Sequence, residues 1–212
     1  HRKIQQKLIR LHVLTFCLVN QIDFVNFALA MRKLLSFIYF KCLGWKTDIS
    51  VPKCNACVMC VAPHTSNRDF FYAMLFDRSQ GGHAHFLMKK FWFFWPLGIL
   101  LRKWGGIAVD RSHRKHMTEE LASMFKTNDN FRIAITPEGT RSANDKWKLG
   151  FYYIALKANV PIRLYVLNYK TKSVICKEQI IPSGNVEKDI LYIKKYYVQF
   201  KDAARYPKNF SV

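Results

Sequence analysis

At 212 residues the chain is long enough for one α/β domain with a core of its own and too short for two comfortable ones. Half of its residues are hydrophobic and 15% are aromatic, while 34 Lys and Arg stand against 14 Asp and Glu, a formal net charge of +20. Such a field draws anions, but no zinc-finger spacing, RNA-recognition signature or uninterrupted basic arm accompanies it, which argues against a nucleic-acid reader.

The first thirty residues read differently from the rest. His1 to Arg10 is basic, Leu11 to Val19 is apolar, and Ala28-Leu29-Ala30 has the small-residue pattern of a signal-peptidase site. Asn20, Gln21, Asp23 and Asn26 interrupt the apolar stretch too often for a membrane-spanning helix. An opening His suits a fragment or an upstream addition, and Met31 is a more natural start. Residues 1–30 are therefore expected to be an extension, unstructured or lying on a membrane, with the domain proper at 31–212. Leu34 to Trp45, apolar and aromatic between lysines, suggests a helix resting on the core or on lipid.

Alternating elements follow. A strand near Ala56–Ala62 leads into a sharp turn at His64, then a helix over Phe70–Phe76. A strand near His85–Met88 precedes an aromatic run, two helices broken at Pro96. Gly105-Gly106 turns the chain into a strand at Ile107–Val109, ending at Asp110-Arg111. Met117, Leu121, Met124 and Phe125 have helical spacing, with Thr118, Glu119 and Glu120 capping or facing water. Phe131–Ile135 is a strand, Phe151–Ala158 a helix, and Ile162–Tyr169 and Ser173–Ile180 strands. A last amphipathic helix carries Val186, Ile190, Leu191 and Ile193. This alternation predicts a single α/β domain: a mixed, largely parallel sheet flanked by helices, behind an N-terminal membrane-associated helical segment.

Two features invite a metal and are weak. Cys54-x2-Cys57-x2-Cys60 lacks a fourth ligand at ferredoxin spacing, and its second and third cysteines fall inside the apolar strand. His113-x2-His116 and His83-x-His85 lack partners at zinc spacing. Buried thiols in a reduced compartment are the expectation, with no metal. The run from Lys89 to Trp104 is more telling. Its cations bracket Phe91, Trp92, Phe94, Trp95 and Trp104, which suits an anionic bilayer surface with rings at headgroup depth, one face serving lipid and the other the core.

Chemistry in α/β sheets gathers in loops leaving the carboxyl ends of strands, and three such loops carry polar residues. In the first, His64 and Asp69 are five positions apart, so a carboxylate can hold one imidazole nitrogen and free the other to take a proton. The second ends a strand at Asp110-Arg111-Ser112. In the third, Thr136 to Ser142, Pro137 sets the turn and Gly139 permits a left-handed backbone. Glu138 brings a negative charge, and Arg141 a planar fork able to clamp a phosphate.

In this order the blocks resemble the glycerolipid acyltransferase superfamily, the lysophosphatidic acid acyltransferases and their relatives, and its small bacterial members above all. They are His64-x4-Asp69, Gly105-Gly106-Ile107-Ala108-Val109-Asp110-Arg111, Pro137-Glu138-Gly139-Thr140-Arg141 and Val160-Pro161-Ile162, spanning about Met31 to Tyr169. Pro63 and Thr136 depart from the family's usual Asn and aromatic, which leaves the acceptor open. The resemblance implies O-acyl transfer from an acyl thioester, on acyl carrier protein or coenzyme A, to a lysolipid hydroxyl. It casts His64 as general base and Asp69 as its orienter, with Arg111, Glu138, Gly139, Thr140 and Arg141 holding the headgroup and no bound cofactor. It further implies attachment to the cytoplasmic face of the bacterial inner membrane. Amino-acid lipids, sugar lipids or other lysophospholipids are alternative acceptors. A catalytically silent membrane scaffold would need none of His64, Asp69, Glu138, Gly139 or Arg141.

Overall fold

The computed structural model describes residues 26–27, 29–31, 33–38, 40–109 and 114–212, with the side chains of Arg114 and Lys115 not described. Seven strands form one sheet in the order β1-β7-β6-β2-β5-β3-β4. They are β1 (Lys46–Ile49), β2 (Cys57–Val61), β3 (His85–Lys89), β4 (Gly106–Val109), β5 (Arg132–Ile135), β6 (Ile162–Asn168) and β7 (Ser173–Ile180). The helices are α1 (Arg68–Ser79), α2 (Leu97–Lys103), α3 (Arg114–Thr127), α4 (Gly150–Ala158) and α5 (Val186–Val198). The run β6-β2-β5-β3-β4 is parallel throughout; β7 lies antiparallel to β6, and β1 parallel to β7. The α/β class with a mixed, largely parallel sheet is as expected.

β2 is apolar at every position because both its faces are covered. Val58, Cys60 and Ala62 pack with Ile133, Leu164 and the helices α3, α4 and α5, through Leu121, Phe151 and Ile193. Cys57, Met59 and Val61 point the other way, toward Phe76 of α1 and toward Phe40 and Trp45. The period-2 alternation of strand side chains thus sorts one short segment between two cores.

That arrangement also positions a crevice. From β2 the chain crosses through α1 to β3, beyond β5; from β5 it crosses through α4 to β6, beyond β2. The two connections leave neighbouring parallel strands toward opposite faces of the sheet. A cleft opens beyond the carboxyl ends of such a pair.

Several boundaries differ from expectation. Helix α1 begins two residues earlier than the apolar pattern suggests, which puts Asp69 in its first turn. The aromatic run forms a 3₁₀ turn at Lys90–Trp92 followed by α2, rather than two full helices. In α5 the buried seam is Ile193 and Tyr197, while Leu191 is 55% exposed. Strand β1 was not expected at all. Every residue of it is exposed, and it is held at the sheet edge by pairing with β7 and by Lys177 to Asp48 at 2.8 Å. Residues 26–42 are helical where described, on both sides of position 30, and the features expected in residues 1–25 lie outside the described residues. Among the described residues no helix is long and apolar enough to cross a membrane.

Candidate active site

The turn after β2 is built around one carboxylate. Asp69 is buried, and its Oδ2 sits 3.1 Å from Nδ1 of His64 while accepting the backbone N–H of Thr65 and of Ser66, each at 2.9 Å. Its other oxygen, Oδ1, accepts the hydroxyl of Tyr169 at 2.5 Å. An oxygen already receiving two amides has its position fixed, so the imidazole it receives is fixed too. With Nδ1–H directed to Asp69, Nε2 carries the lone pair. The His64 side chain is 17% exposed, enough for a hydroxyl to reach it.

A second carboxyl closes the turn from below. Glu138, from the loop after β5, is 0% exposed and accepts the backbone N–H of His64 at 2.8 Å. Its Oε2 has no hydrogen-bond partner among the described residues. Burial pushes its acidity to about 8 against the His64 amide, which favours the charged form, and the nearby Asp69 charge raises it further. These effects bias Glu138 toward its neutral form, which lessens the cost of a second buried carboxyl beside Asp69. Glu138, expected to hold a headgroup, is buried and bonded to the backbone of the His64 turn.

The rest of its loop faces outward. Gly139 has φ +65°, a left-handed backbone that favours glycine, while a Cβ there would meet only the far end of the flexible Lys148 side chain, at 2.8 Å. Thr140 and Arg141 are exposed, and Nη1 of Arg141 donates to Oδ1 of Asn67 at 2.5 Å, in the His64 turn. The first and third blocks, 74 positions apart in sequence, are thereby brought together. Arg111 lies outside the described residues.

Tyr169, just past β6, was missed because nothing local marks it: it is one tyrosine at the end of an apolar strand. Its phenol is held well above its ordinary acidity by burial and by Asp69, so it donates and does not ionise. Three turn amides, those of His64, Thr65 and Ser66, are committed to carboxyl oxygens and are removed from candidacy as oxyanion donors.

Of the aromatic residues, Phe91 and Trp95 are 78% and 82% exposed, and Trp92 and Phe94 are exposed with them. Trp104 is half-buried and stands apart from that group; its carbonyl accepts from Nη2 of the buried Arg78 at 2.8 Å. Between α1 and the sheet lies a mostly apolar cavity lined in part by Met59, Val61, Phe70, Ala73, Phe86 and Leu167. Among the described residues no cluster of His, Cys, Asp and Glu could hold a metal ion.

The acyltransferase family model matches residues 48–164, more than half of the chain. Among solved structures, the 1-acyl-sn-glycerophosphate (LPA) acyltransferase PlsC from Thermotoga maritima is similar in fold, with a TM-score of 0.54 and 19% identity. The match covers 81% of this chain and 77% of that one.

Proposed function

The chain belongs to the acyltransferase family, and we propose from that premise that it acylates the hydroxyl of a lysolipid. The acceptor that best suits the site is 1-acyl-glycerol-3-phosphate, and the donor is a thioester of acyl carrier protein or coenzyme A. One observation carries this reading. A His64–Asp69 pair and an exposed Arg141, bonded through Asn67, share the carboxyl-end crevice of the sheet. A base for a hydroxyl and a fork for a phosphate are the two halves such an acceptor requires.

In the proposed reaction His64 Nε2 takes the hydroxyl proton as the acceptor oxygen attacks the thioester carbonyl. Asp69 holds the resulting imidazolium in place. Collapse of the tetrahedral adduct breaks the carbon–sulfur bond, and the thiolate leaves with the proton from His64. No protein nucleophile enters. Arg141, with Arg111 and the Gly139–Thr140 backbone, holds the headgroup, while Glu138 supports the turn. The cavity beneath α1 is apolar enough to take acyl chain. Phe91, Trp92, Phe94 and Trp95 meet an anionic membrane surface at the cytoplasmic face of the inner membrane.

The test is a mass-spectrometric screen of lysolipid acceptors against both donor classes with the purified protein. The reading expects a diacyl product from lysophosphatidate, and more of it than from uncharged lysolipids. Product only from acceptors lacking a phosphate would overturn the acceptor assignment.

A further inference from the structure

At the other end of β2 one buried cation has no carboxylate partner among the described residues. Arg163, on β6 opposite Met59, is 5% exposed. Its Nη2 donates to the Val51 carbonyl at 3.3 Å and its Nη1 to Sγ of Cys54 at 3.7 Å, and its guanidinium lies 5.7 Å from the Tyr165 ring. Its Nε has no hydrogen-bond partner among the described residues. A buried guanidinium stays charged and needs a counter-charge nearby. Among the described residues the acidic groups that act on it most are Tyr165 and the thiols of Cys176, Cys54 and Cys57.

These groups are not equivalent. Burial drives Tyr165 upward, and Cys176 to about 11. Cys57 is raised by its hydrogen bond to Cys54 and by burial. Cys54 is lowered to about 6: the hydrogen bond with Cys57 does most, burial opposes it, and Arg163 and then Arg132 add to the lowering. Cys54 is also half-buried where the other two are fully buried, so a small reagent can reach it. Cys60 takes no part, because strand alternation turns it to the opposite core.

We infer that Cys54 and Cys57 are a peroxide-sensitive thiol pair, Cys54 attacking and Cys57 resolving, with Arg163 holding the attacking sulfur as thiolate. The Cys54 sulfur attacks one oxygen of hydrogen peroxide and the O–O bond breaks, giving a sulfenic acid and a hydroxide, which becomes water by taking up from solvent the proton that the Cys54 thiol had released. The Cys57 sulfur then attacks the Cys54 sulfur. The S–S bond forms, the S–O bond breaks, and water leaves with the Cys57 proton. Two thiols lose two electrons, and one peroxide becomes two waters. The site is separate from the acyl-transfer residues and does not depend on the acceptor assignment.

The experiment uses the full reduced chain, alkylated with iodoacetamide at pH 5 to 9, with the rate at each cysteine read by peptide mass spectrometry. Cys54 is expected to react at pH 7 about tenfold or more faster than exposed Cys42, with its rate half-maximal below the usual thiol range. Arg163→Gln should reduce that advantage; if this variant does not fold, the wild-type rate–pH profile decides alone. Hydrogen peroxide should remove two hydrogens from the tryptic peptide 54–68, leaving Cys60 open to alkylation after unfolding. In Cys57→Ser the Cys54 sulfenic acid should instead be captured by dimedone. A Cys54 no faster than Cys42, or peroxide treatment that leaves Cys54 and Cys57 unlinked, overturns the inference.

Discussion

The two loops that meet in the crevice are built in opposite ways. In the turn from Pro63 to Asp69, three successive amides and the imidazole are tied to carboxyl oxygens, and the hub carboxylate is itself tied by Tyr169. In the loop from Thr136 to Ser142 only Glu138 is held that way, while Thr140 and Arg141 stand exposed. Proton transfer tolerates little error in position, whereas recognising a headgroup asks for reach and charge. On the proposed function the fixed loop is the catalytic half and the open loop the binding half, and substitutions in each should fail in different ways.

The sharpest contrast comes from Asp69→Ala. It strands the imidazole, two buried amides and the Tyr169 hydroxyl together. Acyl transfer should fall by roughly a thousandfold or more, and the melting temperature should fall with it, since each unpaired buried group costs about 1–3 kcal/mol. Loss of activity with an unchanged melting curve would show that the hub does not hold the turn. Arg141→Ala should do the reverse and leave melting unchanged. Its apparent affinity for a phosphorylated acceptor should weaken by ~1.5–3 kcal/mol, about ten- to a hundredfold, read as a rise in KM at nearly constant kcat.

Glu138 probes the boundary between the halves through pH. Its folded value of about 8 lies above the ordinary 4.5, so the folded state keeps a proton that the unfolded chain has released. Its contribution is full below about pH 4.5 and is lost as pH rises through about 8, at up to ~1.4 kcal/mol per pH unit. Glu138→Gln keeps an oxygen for the His64 N–H and should flatten this part of the stability–pH curve while retaining most activity at pH 7. An equally steep slope in the variant would show that another group is responsible. Tyr169→Phe should be mildest, lowering kcat by roughly two- to tenfold through one lost hydrogen bond, with KM unmoved.

Much of this contrast was legible in the sequence. The apolar run before His64 and the His64–Asp69 spacing announced the strand, the turn and the contact between the two side chains, and Gly139's left-handed backbone was expected from its loop. The burial of Glu138 and its bond to the His64 amide were not legible, because a carboxylate in a polar loop near an arginine reads as exposed. Tyr169 and Arg163 were invisible for a related reason: each acts on residues about a hundred positions away, which no local spacing encodes. Strand β1 escaped because Lys46 to Ile49 is exposed along its whole length and carries no alternation. The cysteine triplet was read as buried thiols, and Cys57 and Cys60 are buried; a three-residue step along a strand reverses the face, so they belong to different cores, which the spacing alone did not bring out.

The central claim is that His64 Nε2 is the base for an attacking lipid hydroxyl. The most direct measurement is the rate of acyl transfer by purified His64→Ala beside wild type, with matched circular dichroism and vesicle binding. The account predicts a loss of about a hundred- to ten-thousandfold in a folded protein that still binds vesicles. Wild-type turnover in His64→Ala would contradict it.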